Sequence, residues 1–207
     1  MRVVVVGAYG LIGSYVAARL LAGGHDLVGI GRDIVAARRR FPDLSWAKAD
    51  LGSASVSEWV SLLDHADAVV NCAGALQDSP RDDLNAVHLE GVRKLAEACR
   101  IAGVAKFIHL SAAGVAPGGE TAFNRTKLAV ETALKNEPID WIILRSGLVI
   151  APAAYGGTAL LRGLAGFPKL LFSQCQKCRY PFIGTHTRPV RGAPPRSRGL
   201  SGRPGLR

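Results

Sequence analysis

No run of about 18 apolar residues occurs in the 207-residue chain, so no membrane-spanning helix is expected. The four valines after Met1-Arg2 end at once in a glycine. That stretch is too short for a secretory signal and has no small-residue cleavage site. It reads as a buried strand, and a cytoplasmic location is expected. Cysteine is scarce, with four in all. Cys72 and Cys99 lie in apolar surroundings and read as reduced core residues. Cys175 and Cys178 form a single C-x-x-C. A zinc site needs two further ligands at suitable spacing, His186 is one candidate, and no metal is expected. No internal repeat is visible. Acid is missing from one end of the chain. All 16 acidic residues lie in 1–140, beside 15 of the 26 Lys and Arg, whereas 141–207 holds the other 11 basic residues and no acid. The net charge of +10 therefore belongs to the C-terminal end and says nothing about the partners of the rest.

With 48% hydrophobic and 20% charged residues the composition is that of a globular chain rather than a disordered one. Its length suffices for one well-buried domain and a remnant of a second. Apolar runs at 2–6, 26–30, 45–49, 67–71, 104–110 and 139–144 predict strands. Helical patterns fall between them at 11–22, 33–41, 54–64, 82–102 and 121–136. Short β-rich runs separated by helices imply an α/β fold with a parallel sheet covered on both faces, a doubly wound (Rossmann) sheet. Residues 151–168 are rich in Ala and Gly and could hold a helix near 158–165. We place this Rossmann domain at 1–168 and a basic Pro/Gly-rich tail at 169–207. The tail has no apolar periodicity, cannot bury enough surface to offset its ordering entropy, and is expected to be disordered or aberrant. Its abrupt loss of acids is what an out-of-frame or truncated reading would produce.

The first strand runs into Gly7-Ala8-Tyr9-Gly10-Leu11-Ile12-Gly13 and then a helix. A G-x-x-G-x-x-G loop in that setting is the fingerprint of a dinucleotide site. Gly7 permits the sharp turn, Gly10 lets backbone approach a pyrophosphate, and Gly13 allows close helix–strand packing. The helix N-terminus, with Tyr9, Leu11 and Ile12 in the loop, faces the phosphates. The second strand ends in Gly29-Ile30-Gly31-Arg32-Asp33. An acid there would bond ribose hydroxyls and favour NAD(H), whereas Arg32 suits a 2′-phosphate, so NADP(H) is expected over NAD(H). The alternative is that Asp33 is the ribose ligand and Arg32 a solvated charge. Arg38, Arg39 and Arg40 follow on the next helix, and one of them could assist. Asp50-Leu51 ends the third strand, where adenine would lie. Asn71-Cys72-Ala73-Gly74 ends the fourth, near a cofactor ribose, and Ser111 ends the fifth. Ligands of open α/β sheets bind beyond the carboxyl ends of the strands, so Asp50, Leu51, Cys72, Ala73, Gly74 and Ser111 converge on one crevice.

On these residues, with Lys127 and Leu144-Arg145-Ser146-Gly147, the stretch 1–168 resembles an extended or atypical short-chain dehydrogenase/reductase. It is similar to the complex I 39-kDa-subunit-like and NmrA-like groups and to bacterial epimerase/dehydratases. The resemblance implies a catalytic Ser111 and a Lys127 that holds the nicotinamide ribose. It also implies a Y-x-x-x-K motif, but the segment here reads Phe123-Asn124-Arg125-Thr126-Lys127. Phenylalanine has no ionisable group and cannot be the general acid or base. His88 stands where extended members commonly carry asparagine, and reads either as a substituted proton donor or as a packed helix histidine. His109 reads as a satisfied core histidine. Tyr9 and Tyr155 are the other tyrosines near the expected crevice. Relatives continue past the L-R-x-G corner with elements that close over a substrate, and 169–207 does not resemble those elements.

Three functions compete. The first is an oxidoreductase or isomerase with an altered proton donor, acting on an unknown small molecule. The second is a non-catalytic NADP(H) binder, a redox sensor or a respiratory-complex assembly or accessory protein, with peripheral membrane or complex association. The third uses the basic tail on nucleic acid or acidic membrane. The tail lacks aromatic interleaving and amphipathic periodicity, so nucleic-acid binding is not expected. The missing tyrosine favours the second, while Ser111 and Lys127 keep the first open.

Overall fold

The computed structural model describes residues 1–80, 82–149, 151 and 163. Its elements follow in the order β1 (Arg2–Val6), α1 (Leu11–Ala22), β2 (Asp26–Gly31), α2 (Ile34–Arg40), β3 (Ser45–Lys48), α3 (Val56–Leu62), β4 (Ala68–Asn71), a π-helical turn (Ala86–Glu90) leading into α4 (Gly91–Ile101), β5 (Lys106–Ala112), α5 (Ala122–Lys135) and β6 (Trp141–Ser146). The six strands form one sheet in the order β3-β2-β1-β4-β5-β6, every pair parallel. This is the Rossmann strand order, with its reversal point between β1 and β4.

The valines of β1 show how one strand serves two cores. Successive side chains point to opposite faces of a sheet. Val3 and Val5 join Ala17, Leu27 and Leu44 on one face. Val4 and Val6 join Trp59, Leu63, Leu95, Phe107 and Val130 on the other. Helix ends are set locally. Ser55 and Glu58 form a reciprocal capping box at α3. Thr121 accepts from Asn124 N to start α5. In α5, Lys127, Val130, Glu131 and Leu134 are buried, and the i, i+3, i+4, i+7 spacing puts them on one face. That face brings two charged groups into the interior.

Two boundaries differ from the sequence reading in ways that matter for the site. The expected helix over 82–102 begins later, because Ser79 and Asp82 close a turn through Ser79 N to Asp82 O (2.8 Å) and Asp82 N to Ser79 O (3.2 Å). It also contains the π turn, whose wider coil carries His88. Gly91 follows because α4 crosses the β3–α3 connection closely: a Cβ there would lie 2.0 Å from Leu51 O. The fifth strand runs on to Ala112, so Ser111 sits inside it, opposite Arg145 of β6. Apart from Gly163, the expected helix near 158–165 lies outside the described residues, as do Tyr155, Cys175, Cys178, His186 and all of 169–207.

Candidate functional site

The β1–α1 loop and its neighbours form one limb of the crevice. Gly7 adopts φ +75°, a left-handed conformation that favours glycine, and a Cβ there would stand 2.8 Å from Ala73 N. Gly13 has no room for a side chain, since a Cβ would lie 2.1 Å from Gly7 O. Gly10 is different: it is exposed, and a Cβ would meet only Gly7 O, at 3.2 Å. It is the N-cap of α1, no side chain caps this helix, and no acid stands in its first turn. The helix therefore presents its first N–H groups, those of Leu11 and Ile12 included, beside an open cradle, which is the arrangement that binds anions.

At the end of β2, Tyr9 lies against Gly31, where a Cβ would come within 2.2 Å of the Tyr9 ring. The Tyr9 hydroxyl accepts from Asp33 N at 3.4 Å. The Asp33 carboxylate caps α2 by accepting from Ala36 N at 3.0 Å. Arg32 reaches out of the strand end and pairs with Asp82 at 2.7 Å, Nη1 to Oδ1. Asp50 turns back on its own loop, accepting from Gly52 N at 3.1 Å, and also acts electrostatically on Arg32. Leu51 is in the core, 4% exposed.

The other limb joins the ends of β4 and β5 to α5. Lys127 is buried and its Nζ donates to Leu110 O at 3.1 Å. Burial lowers its pKa to about 8, opposed by the charge of Glu131. Nothing but hydrogen stands on Gly74, and a Cβ there would be 3.3 Å from His88 Nε2 and 3.6 Å from Lys127 Nζ. These three residues therefore meet. Cys72 donates its backbone N–H to Val6 O, and Ala73 is pressed against Gly7. Cys72 and Cys99 are both free thiols, and burial raises each pKa to about 12.

The hydrogen bonds assign the histidine tautomers. His88 Nε2 accepts from Ala75 N at 3.1 Å, so the proton is on Nδ1, which donates to Thr126 Oγ1 at 3.0 Å. The Thr126 hydroxyl in turn reaches Ala122 O at 2.9 Å. Both His88 nitrogens are thus engaged, and its ring meets Phe123 edge-on at 5.5 Å. This is the packed histidine of the two expectations, not a donor aimed at a substrate. His109 is only half satisfied. Asn71 Oδ1 accepts from Ala73 N, so Asn71 Nδ2 donates to His109 Nδ1 at 3.2 Å. The remaining proton lies on the buried Nε2, for which the described residues supply no partner. Ser111 Oγ donates to Glu131 Oε1 at 2.5 Å, and Arg145 grips the same carboxylate through Nε and Nη2. Arg145 and Ser111 hold the Glu131 pKa down against the opposing effect of its burial.

The neutral histidines imply a pH effect. Burial, followed by the nearby Lys127 charge, lowers His88 to about 4 and His109 to about 3. An unfolded histidine titrates near 6.5. As pH falls below about 6.5 the unfolded chain takes up protons that the folded chain refuses, so each histidine should remove about 1.4 kcal/mol of stability per pH unit down to its folded value. Urea midpoints should drop steeply from pH 7 to pH 4.5, and His88→Asn should reduce the slope by about half. A flat profile would mean that neither histidine is held neutral.

Of the residues expected at the site, Gly7, Tyr9, Gly10, Leu11, Ile12 and Gly13 gather with Arg32 and Asp50 on one limb. Gly74 and Lys127 meet on the other, and the Gly7–Ala73 approach joins the two. Asp82, Thr126 and Glu131 were not expected. Glu131 alone carried a signal, standing four residues after Lys127 on the same helix face. Among the described residues no group of three His, Cys, Asp or Glu could hold a metal.

Strand order, an uncapped helix after a glycine turn and a buried lysine at the end of β5 define a Rossmann-type unit. Residues 3–141 match the NAD dependent epimerase/dehydratase family, and the chain belongs to that family. It is similar to UDP-glucose 4-epimerase of Mycolicibacterium smegmatis, 33% identical over 135 residues, which cover 59% of this chain and 42% of that protein. It is also similar to the mitochondrial NADH-ubiquinone oxidoreductase 40 kDa subunit of Neurospora crassa, 27% identical over 85% of this chain and 47% of the relative. The chain thus spans about half the length of the curated relatives it matches. Among solved structures, the Bordetella bronchiseptica enzyme WbmH in complex with NAD⁺ shares the fold, with a TM-score of 0.66 at 22% identity, covering 79% of this chain and 62% of that one.

Proposed function

We propose that this chain binds a nicotinamide dinucleotide on the glycine loop, prefers NADP(H), and has among its described residues no proton donor for ordinary alcohol–carbonyl interconversion. The observation that carries this reading is the α1 N-terminus, uncapped by any side chain and opening on an exposed Gly10. Gly7, Gly10 and Gly13 with the N–H groups of α1 would hold the pyrophosphate, Arg32 the 2′-phosphate, and Lys127 with Gly74 the nicotinamide ribose. When bound, the nicotinamide ring can give or take a hydride.

The preference for NADP(H) is supported at the β2 end. One oxygen of Asp33, the acid there, is already engaged in capping α2. Arg32 then offers the charge for a phosphate. Arg32→Ala should weaken NADPH about tenfold, the scale of a charge-assisted hydrogen bond, and leave NADH almost unchanged. Isothermal titration of both cofactors on both proteins tests this. Equal affinities in the wild type would end the NADP(H) reading.

The lack of a donor is supported by Phe123, by a Ser111 hydroxyl spent on Glu131 and by a His88 bonded at both nitrogens. A cofactor-holding or accessory role fits this better than catalysis, and similarity to a subunit of NADH-ubiquinone oxidoreductase points the same way. Lys127, with its lowered pKa, is the feature that keeps a specialised oxidoreductase or isomerase as the second reading. No helix among the described residues is long and apolar enough to cross a membrane. We place the protein in the cytoplasm and the dinucleotide unit at 1–168.

A further inference from the structure

We propose that Asp82 sets the choice between NADP(H) and NAD(H) by competing with the 2′-phosphate for Arg32, an inference that rests on Arg32 being the residue that receives that phosphate. Fifty residues separate the two, yet Asp82 Oδ1 stands 2.7 Å from Arg32 Nη1, across from the end of β2 to the loop after β4.

The carboxylate is not there by chance of a loose loop. Ser79 and Asp82 close on one another through Ser79 N to Asp82 O at 2.8 Å, and Asp82 N also donates to Ser79 Oγ at 3.0 Å. Ser79 Oγ lies 3.4 Å from the other carboxylate oxygen, Asp82 Oδ2. The loop is tied onward to the helix, since Leu84 N donates to Asp78 Oδ1 and Ala86 N to Asp83 Oδ1, each at 2.8 Å. Asp82 is therefore presented toward β2 by the backbone. Its side chain is 24% exposed, and that of Arg32 47%, so the pair is open to solvent and exchangeable. Asp82 is a carboxylate in contact with Arg32, and Asp50 is a second negative charge acting on it.

A ribose 2′-phosphate carries more than one negative charge and wants the same guanidinium edge. A carboxylate on that edge repels it and must let go before the phosphate can bind. The uncharged 2′-hydroxyl of NAD(H) meets no such opposition. Removing the charge of Asp82 should thus favour NADP(H) selectively. An exposed ion pair sets the scale, and the gain should be roughly two- to fivefold in affinity.

The test is a set of dissociation constants for NADPH and NADH at low ionic strength, on the full chain, for wild type, Asp82→Asn, Arg32→Ala and the double variant. Asparagine keeps the shape of the side chain and its Ser79 contact, and circular dichroism checks the fold. Tighter NADPH with unchanged NADH in Asp82→Asn, and loss of that gain in the Arg32→Ala background, supports the proposal. Unchanged or weaker NADPH in Asp82→Asn overturns it, and weaker binding would make Asp82 a residue that positions Arg32. If instead Arg32→Ala leaves NADPH untouched, the NADP(H) reading itself fails and the proposal falls with it, an outcome distinct from the first.

Discussion

Gly10→Val is expected to abolish dinucleotide binding in a domain that still folds. Gly10 has φ −66° and ψ 174°, an extended conformation open to valine, and its added Cβ would meet only Gly7 O at 3.2 Å. The branched side chain would instead fill the space over the α1 N-terminus, where the pyrophosphate must approach backbone N–H groups. Loss of two charge-assisted bonds at about 1.5–3 kcal/mol each predicts a loss of affinity on the order of 100-fold or more. Gly13→Val is the contrasting variant. Its Cβ would collide with Gly7 O at 2.1 Å, so it should damage the fold itself. Titration with NADPH beside a thermal melt separates the two. Unchanged affinity in a folded Gly10→Val protein would show that the loop is only a turn.

Phe123→Tyr is expected to show turnover, and the natural chain none. Hydride transfer to a carbonyl leaves an oxygen that must receive a proton, and a positioned donor contributes about 10²–10⁴ in rate. Residue 123 lies one turn of α5 before Lys127, whose buried ammonium can lower the pKa of a neighbouring phenol. Among the described residues, the groups able to substitute are otherwise employed. The Ser111 hydroxyl donates to Glu131, and both nitrogens of His88 are bonded, to Ala75 and Thr126. The Tyr9 hydroxyl stands at the end of β2, three strand spacings or roughly 14 Å from β5. Both proteins should be assayed with NADP(H) against secondary alcohols, ketones and nucleotide sugars. Robust turnover by the natural chain would contradict the account and require a donor that the described residues do not reveal.

What could be read from the sequence was local or periodic. The glycine loop was legible because its demands are on the backbone: a left-handed turn at Gly7 and a close crossing at Gly13 leave only glycine. The doubly wound sheet was legible because β1 to β6 are short apolar runs divided by helices, and few topologies satisfy that pattern. The pairings that decide the chemistry were not. Arg32–Asp82, His88–Thr126 and Ser111–Glu131 link residues 50, 38 and 20 apart, and no spacing rule announces a contact between elements so far apart in sequence. His88 illustrates the limit. Its neighbours in sequence left donor and packed histidine both open, whereas the backbone N–H of Ala75 settles which nitrogen holds the proton. An apolar run that stops at 110 puts Ser111 at the strand end. Continuation of β5 to Ala112 places it inside the sheet, against a carboxylate delivered by α5.

The measurement closest to the central claim is a titration of the full chain with NADPH and then NADH, followed by isothermal calorimetry. The account predicts saturable one-to-one binding of both, with NADPH the tighter. Absence of saturable binding of either would contradict it, whatever the fold.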